Sequence, residues 1–223
     1  MEQEIFDFYT LERLDWHDFM EDDENRRAIQ SLIKWPDWNS FGLIIHGEAG
    51  TGKTHLAALW AQTACAVYVL NDNLNHSPRD LFNNNCNFVF DNFDSMMIPI
   101  NHHWVFDFLN ITAEKKRFVL LLSRQHPSLW NVEPSDLRSR LFTIPTVKIE
   151  TPRDTLLLKI ARKIARDLNI AIHDDVLVYL LNTIERRVDS IANSLRTLNK
   201  LALRQKKKPT ISFVKKIGLG GAS

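Results

Sequence analysis

Cysteine, net charge and long apolar runs are all scarce in this chain. Its two cysteines, Cys65 and Cys86, form no CxxC or Cys/His cluster, so the sequence predicts two small core residues in a reducing compartment. No apolar run approaches the ~18 residues of a membrane span, and the acidic N-terminus lacks a signal-peptide core. The net charge of +1 gives no overall reason to expect a polyanionic partner. These absences predict a cytoplasmic protein with no membrane partner.

The chain does contain one complete phosphate-binding motif. Residues 47–54 read GEAGTGKT and match the P-loop pattern G-x-x-x-x-G-K-[ST]. Glycines at positive φ let successive N–H groups converge on phosphate, the lysine reaches the β- and γ-phosphates, and the threonine hydroxyl can bind Mg²⁺. An apolar run, 41–46, precedes the motif and a helical pattern follows it. The sequence therefore predicts that ATP or ADP, with Mg²⁺, binds at Gly47, Glu48, Ala49, Gly50, Thr51, Gly52, Lys53 and Thr54.

The rest of the chain divides into two patterns. Short β-branched or aromatic runs at 66–70, 88–91, 117–123 and 146–149 alternate with helical stretches, which predicts a doubly wound parallel sheet. After Thr151, Pro152 reads as the first residue of a helix, and the remaining residues show helical spacing only. We therefore expect an α/β nucleotide-binding domain at 11–150 and a small all-helical lid domain at 151–223.

A second half of the nucleotide site follows from the run Phe88–Asp91. An apolar strand ending in an acid has the Walker B form, so Asp91 is predicted to lie near Mg²⁺ together with Thr54. Position 92 is Asn, and an amide can hold a water molecule but cannot take its proton. Asp94 replaces that acid only if the turn curls back. Ser123 ends the next predicted strand, where a polar residue would contact the γ-phosphate.

Taken together, these residues resemble the DnaA branch of the AAA+ proteins, and within it the Hda type, which inactivates the replication initiator DnaA. The resemblance covers nearly the whole chain, is closest to alphaproteobacterial members, and rests on five segments of this sequence: 18–25, 35–38, 47–56, 90–92 and 136–141. It implies a P-loop AAA+ fold with a C-terminal helical lid. It also implies that Arg140, in the segment DLRSRL, is an arginine finger presented to a nucleotide on another protein. Without the resemblance, a plain surface ion pair for Arg140 would be about as frequent.

Two further expectations come from the resemblance. Hda-type proteins carry an N-terminal sliding-clamp-binding peptide, which would place Gln3, Phe6, Asp7 and Phe8 in a groove of the clamp, within residues 1–10. Glu4 stands where the family has Leu, and the apolar residues of this peptide could instead pack on the protein's own core. The sensor-2 arginine of the family falls on Asp189 or Ala192, neither of them Arg; Arg187 and Arg196 flank that position.

The function implied is negative regulation of DNA replication initiation. A nucleotide-bound protein would bind the DNA polymerase III sliding clamp and promote hydrolysis of DnaA-bound ATP in trans, with weak hydrolysis of its own. It would be associated with the nucleoid or replisome, contact DNA only indirectly or weakly, and be compatible with a homo-oligomer. Two alternatives remain: an autonomous AAA+ ATPase such as a helicase loader, and a DNA-associated adaptor that uses the basic stretch 204–208.

Overall fold

The computed structural model of the chain describes residue 16, residues 19–97 and residues 101–219. The predicted clamp-binding peptide, residues 1–10, lies outside these ranges. Within them the chain forms an α/β part and, after residue 150, an all-helical part.

A five-stranded parallel sheet forms the centre of the α/β part. Its strands β1 to β5 are Gly42–His46, Ala66–Tyr68, Asn87–Phe90, Val119–Ser123 and Thr146–Lys148. They lie in the order β2-β3-β4-β1-β5, and every neighbouring pair is parallel. Because both faces are covered, β1, β3 and β4 read as continuous apolar runs and are almost entirely buried. The predicted doubly wound sheet is confirmed.

Helices on both faces of the sheet produce two separate hydrophobic cores. In the described ranges these helices are α1 Arg26–Ile33, α2 Lys53–Ala64, α3 Phe93–Met96, α4 His102–Glu114 and α5 Ser135–Phe142. Successive strand residues point to opposite faces, so Ile44 packs in the core that contains Phe108, and Ile45 in the core that contains Trp60. This layering fixes the carboxyl ends of β1, β3 and β4 at one edge of the sheet.

The all-helical part has a third core of its own. Its helices are α6 Asp154–Asp167, α7 Asp174–Leu181, α8 Val188–Gln205 and α9 Ile211–Lys216. Apolar faces of all four meet around buried side chains that include Leu157, Leu195 and Val214. The prediction that Pro152 is the first helical residue is wrong: Arg153 has an extended backbone (φ −75°, ψ 164°) and caps a helix that begins at Asp154.

Polar contacts join the helical part to the segment that precedes α1. Lys159 Nζ lies 2.7 Å from Asp22 Oδ2, and Arg153 Nε lies 3.1 Å from Glu24 Oε1. The backbone N–H of Glu150 donates to the Glu24 carbonyl at 2.9 Å. The Glu24 side chain is 6% exposed, so its ion pair is less screened by water than an ordinary surface pair. These bonds join the helical part to the α/β part.

Two smaller predictions can be compared with the structure. None of the helices in the described ranges has the length and hydropathy that a membrane crossing requires. Cys86 is buried as expected, but Cys65 is exposed, so its assignment to the core is wrong. Cys65 ends α2 in the left-handed conformation (φ 48°), which carries its side chain away from the core face of the helix.

Candidate functional site: a P-loop in contact with a helical lid

The P-loop lies between the carboxyl end of β1 and the first turn of α2, as its sequence context predicts. Gly50 and Gly52 have positive φ values of 78° and 95°, which only glycine adopts without strain. Gly47 was expected to share this conformation and does not. It is required for a different reason: a Cβ there would lie 2.4 Å from the Ile149 carbonyl oxygen. The loop is thus shaped by two turns and one close backbone approach.

Lys53 is buried at the base of the loop, 7% exposed. Its Nζ donates to the Gly47 carbonyl at 2.6 Å and to the Glu48 carbonyl at 2.8 Å. Burial lowers the pKa of Lys53, because a desolvated ammonium loses water that two carbonyls only partly replace. A cation in this setting gains from a nearby anion, and the phosphates of a nucleotide supply one.

Thr54 and Asp91 meet beside the loop. The Thr54 hydroxyl donates to Asp91 Oδ2 at 2.7 Å, although the two residues are 37 positions apart. The other carboxylate oxygen, Oδ1, accepts the backbone N–H of Asn92 at 2.8 Å. A hydroxyl and a carboxylate in contact at the phosphate-binding loop fit Mg²⁺, which takes oxygen ligands and is bound through few protein groups plus nucleotide phosphates. These two residues would hold the ion, which would supply charge neutralisation at the phosphates.

No second acid stands beside Asp91 in the described part of the site. Asn92 occupies that position in the left-handed conformation (φ 53°) and caps α3. The Asp94 carboxylate is occupied elsewhere, since its Oδ2 accepts the backbone N–H groups of Arg124 at 3.0 Å and Gln125 at 3.3 Å. Asp94 therefore shapes the loop after β4 and does not curl back towards Asp91.

Ser123 ends β4 next to the P-loop, but its hydroxyl faces its own loop. The side chain is fully buried and donates to the Gln125 carbonyl at 2.8 Å. Its backbone carbonyl accepts the N–H of Gly47 at 3.2 Å and so fixes the start of the P-loop. Contact between the Ser123 hydroxyl and a γ-phosphate would require exchange of its present bond, and this role stays a prediction.

The lid reaches the P-loop through Arg187. This residue caps the N-terminus of α8, and its Cβ and Cγ lie 2.7 and 2.5 Å from where a Cβ on Gly50 would stand. Its guanidinium pairs with both carboxylate oxygens of Asp189, at 3.1 and 2.7 Å. Arg196 lies nine residues further along the helix, or about 13 Å. Of the two arginines that flank the family's sensor-2 position, Arg187 is the one at the nucleotide site.

The Arg187 contact can be tested by a double-mutant cycle. Gly50→Ala should destabilise the protein, because an L-residue in the left-handed region costs about 1–2 kcal/mol and the new methyl group meets Arg187. Arg187→Gly removes that steric contact and retains an acceptable N-cap. Thermal and urea unfolding of both single variants and the double variant should give a non-additive coupling above about 0.5 kcal/mol. Strictly additive effects would show that the lid does not press on Gly50 in solution.

Arg140 lies at the opposite end of the sheet from the P-loop. It occupies the last turn of α5, and its guanidinium carbon lies 5.0 Å from the centre of the Phe41 ring, just before β1. Phe41 and Gly47 are six residues apart along β1, which corresponds to about 20 Å. Within the described ranges Arg140 has no carboxylate partner, and its Nε is buried without a hydrogen bond. The surface ion pair considered for Arg140 is absent from this part of the chain.

Sequence reasoning missed the aromatic contacts next to the P-loop. The Phe19 ring lies 5.3 Å from the His55 ring, edge to face, and 3.9 Å from where a Cβ on Gly52 would stand. Trp16 Nε1 donates to Thr63 Oγ1 at 3.1 Å on the same helix, α2. The segment before α1 therefore touches both the P-loop helix and, through Asp22, the lid. Nothing in a run such as DFMED signals these contacts, because they join residues more than 30 positions apart.

Comparison with known proteins gives one family match and several structural ones. Residues 154–217 match the family model described as Hda, lid domain. Domain III of the replication initiation protein DnaA from Thermotoga maritima has a TM-score of 0.76 at 15% identity, covering 93% of this chain and 96% of that one. AMPPCP-bound DnaA from Aquifex aeolicus gives 0.70 at 19%, covering 90% and 67%. The RuvB Holliday junction branch migration motor of Thermotoga maritima gives 0.65 at 15%, covering 87% and 68%. No curated protein matches.

The parallel sheet, the P-loop with its Thr54–Asp91 pair and the helical lid define an AAA+ fold with a candidate nucleotide-binding site. At these identities the solved structures establish the fold alone. The lid, residues 154–217, is of the Hda type, and the chain as a whole has a fold similar to that of DnaA domain III.

Proposed function

We propose that this protein is a nucleotide-bound regulator of DNA replication initiation that promotes hydrolysis of ATP bound to DnaA. The family of the lid and the DnaA-like fold support a DnaA-related replication regulator. The observation that carries the finer proposal is the position of Arg140, which has no ion pair among the described residues and lies against Phe41, at the other end of β1 from the P-loop.

An arginine in this position suits catalysis on another protein. It cannot reach the phosphates of its own nucleotide across the length of β1. Its planar guanidinium stays charged and can spread over phosphate oxygens, which is the role of an arginine finger supplied in trans. The Phe41 ring holds the group by a cation–π contact that a stronger anionic partner can replace. Arg140 would thus lie beside the ATP of an adjoining DnaA molecule.

The nucleotide on this protein acts mainly as a structural ligand in this proposal. Lys53, Thr54 and Asp91 are arranged to hold ATP or ADP with Mg²⁺, while Asn92 cannot take a proton from water. The nucleotide would occupy the space between P-loop and lid, where Arg187 already touches Gly50. Binding would therefore fix the lid against the sheet and set the shape that DnaA recognises.

The sliding clamp is the proposed anchor on newly replicated DNA. Gln3, Phe6, Asp7 and Phe8 carry this part of the proposal, on sequence resemblance alone. A pull-down of purified clamp with the whole chain and with a variant lacking residues 1–8 tests it. Loss of clamp binding on truncation, with nucleotide affinity unchanged, is the expected result; equal capture of both forms would refute the anchor.

The proposal as a whole is tested by single-turnover hydrolysis of radiolabelled ATP bound to DnaA. Addition of this protein with clamp loaded on DNA should accelerate conversion to ADP, and neither component alone should do so. Unchanged DnaA-bound ATP in the presence of all components would refute the function, whatever the outcome of the clamp experiment.

An autonomous ATPase is the second candidate, because the Lys53, Thr54 and Asp91 set is complete. We expect slow turnover by the purified protein, and faster turnover when Asn92→Asp restores an acid. A general base typically contributes about 10²–10⁴-fold, so a rise of at least tenfold is expected. Asp also tolerates the left-handed backbone of this position. Rapid turnover by the parent protein without partners would instead favour the autonomous ATPase.

A further inference from the structure

The net charge of +1 conceals a strong separation of charge along the chain. From residue 190 to the end there are eight basic residues and no acidic one. Positions 1–189 hold the other 20 basic residues and all 27 acidic ones, a net charge of −7. The near-neutral total is therefore no argument against a polyanionic partner for the lid.

Six of these basic residues are exposed from the middle of α8 to just after its end. Arg196, Lys200 and Arg204 recur every four residues of α8 and so lie on one face of that helix. Lys206, Lys207 and Lys208 continue directly from the C-terminus of the same helix. All six side chains are exposed. We refer to these six residues as the basic end of the lid.

This surface has no anionic partner in the described structure. Arg196 contacts only the Asn193 amide oxygen, at 3.5 Å, and none of the six forms an ion pair with a described residue. Several basic residues elsewhere in the lid do form ion pairs, for example Arg162 with Asp174. Like charges four residues apart destabilise a helix. The helix dipole favours a cation in the last turn, but Arg196 and Lys200 lie outside it. The stability of the fold alone therefore does not account for this row of unpaired basic residues.

We propose that the basic end of the lid binds the phosphate backbone of duplex DNA. Arg and Lys are the usual phosphate contacts, whereas Lys, four of these six residues, is depleted in protein–protein interfaces. The surface includes no aromatic residue on which unpaired bases could stack. Tyr179, the tyrosine of the lid, lies outside this surface, and the Lys215 ammonium already lies over its ring at 5.4 Å. These features favour a duplex backbone over a single strand or a protein.

The proposed surface is separate from the nucleotide site and goes beyond the function proposed above. Arg187, at the N-terminus of α8, touches the P-loop, while Arg204 and Lys206 lie at the other end of the helix. Eighteen helical residues span about 27 Å. DNA and nucleotide can therefore be bound at the same time, and DNA binding requires neither the clamp nor DnaA.

The experiment is a fluorescence-anisotropy titration of a labelled 24-base-pair duplex of arbitrary sequence with the full chain, over a series of salt concentrations. We expect non-specific affinity, about 10⁻⁴–10⁻⁶ M at physiological salt, with log K falling linearly against log salt at about −0.9 per phosphate contacted. Arg196→Gln, Lys200→Gln and Arg204→Gln combined should weaken binding at least tenfold at low salt. The slope should become shallower by up to about 2.7.

The matched control replaces three exposed lysines of the α/β part, Lys34→Gln, Lys115→Gln and Lys116→Gln, and so changes the net charge equally. It should retain the affinity and the salt slope of the parent. Thermal unfolding should show that both triple variants are folded, because neutralising like charges relieves repulsion in α8. The proposal is overturned if the lid variant binds like the parent, if the control loses as much affinity, or if a single strand of equal length binds more tightly.

Discussion

Replacing Arg140 with alanine should abolish the stimulation of ATP hydrolysis on DnaA while leaving nucleotide binding to this chain intact. An arginine finger contributes about 10³–10⁵ in rate where a reaction depends on it, so the single-turnover rate should fall to that of DnaA alone. Little loss of stability is expected, because Arg140 forms no ion pair in the described structure and contributes mainly a contact with Phe41. The measurement is release of labelled ADP from DnaA in the presence of clamp and DNA.

Two companion variants separate charge from geometry. Arg138→Ala removes an exposed arginine from the same helix, whose guanidinium reaches only the Val132 carbonyl at 3.2 Å, and should stimulate like the parent. Arg140→Lys keeps the charge but loses the planar fork, so it should recover little of the rate. Full stimulation by Arg140→Ala, or equal loss in Arg138→Ala, would remove Arg140 from the mechanism.

Lys53→Met should abolish nucleotide binding in the working concentration range. Two charge-assisted bonds to phosphate, at about 1.5–3 kcal/mol each, correspond to a loss of about 10²–10⁴ in affinity. Stability should change little, because removing the buried ammonium relieves its desolvation cost but also removes its bonds to the Gly47 and Glu48 carbonyls. Calorimetric titration with ADP and Mg²⁺ measures the first effect and urea unfolding the second.

Lys53 also gives the binding reaction a pH dependence. Phosphates favour the ammonium form, so the pKa of Lys53 is higher in the complex than in the free protein, where burial lowers it. Affinity should be full below the free-protein pKa and fall as pH rises through the window between the two values. That fall should begin at a pH below the ordinary pKa range of lysine.

Lys34→Met is the surface control for Lys53→Met. An unchanged ADP affinity in Lys53→Met would contradict the assignment.

Local sequence patterns predicted most of the architecture, because the P-loop and the strands are determined by residues that are close together in the sequence. The P-loop follows from residue types at fixed spacing, and the five strands from apolar runs between turns. Asp94 was expected to replace the missing acid only if the turn curled back, and the structure shows that it does not. The start of α6 was wrong by two residues because Pro152 fits the position before a cap as well as the first helical turn.

Contacts between distant segments were beyond reach from the sequence. The bond between Thr54 and Asp91 could be anticipated, since a known motif links those positions. The contact of Arg187 with Gly50 could not, because it depends on how the lid packs against the loop. The same holds for Asp94, whose carboxylate holds two backbone N–H groups 30 and 31 residues away. The separation of charge along the chain, by contrast, can be counted in the sequence itself.

Helix α8 connects the P-loop to the far side of the lid. It begins at the contact between Arg187 and Gly50 and ends at Lys206, about 27 Å away. Pivoting that helix by about 10° at its first turn would move its other end by about 5 Å, given this length. If one ligand at each end prefers a particular orientation of α8, each must change the affinity of the other by the same factor. A change of ligand at the P-loop that reorients α8 would therefore displace the far side of the lid.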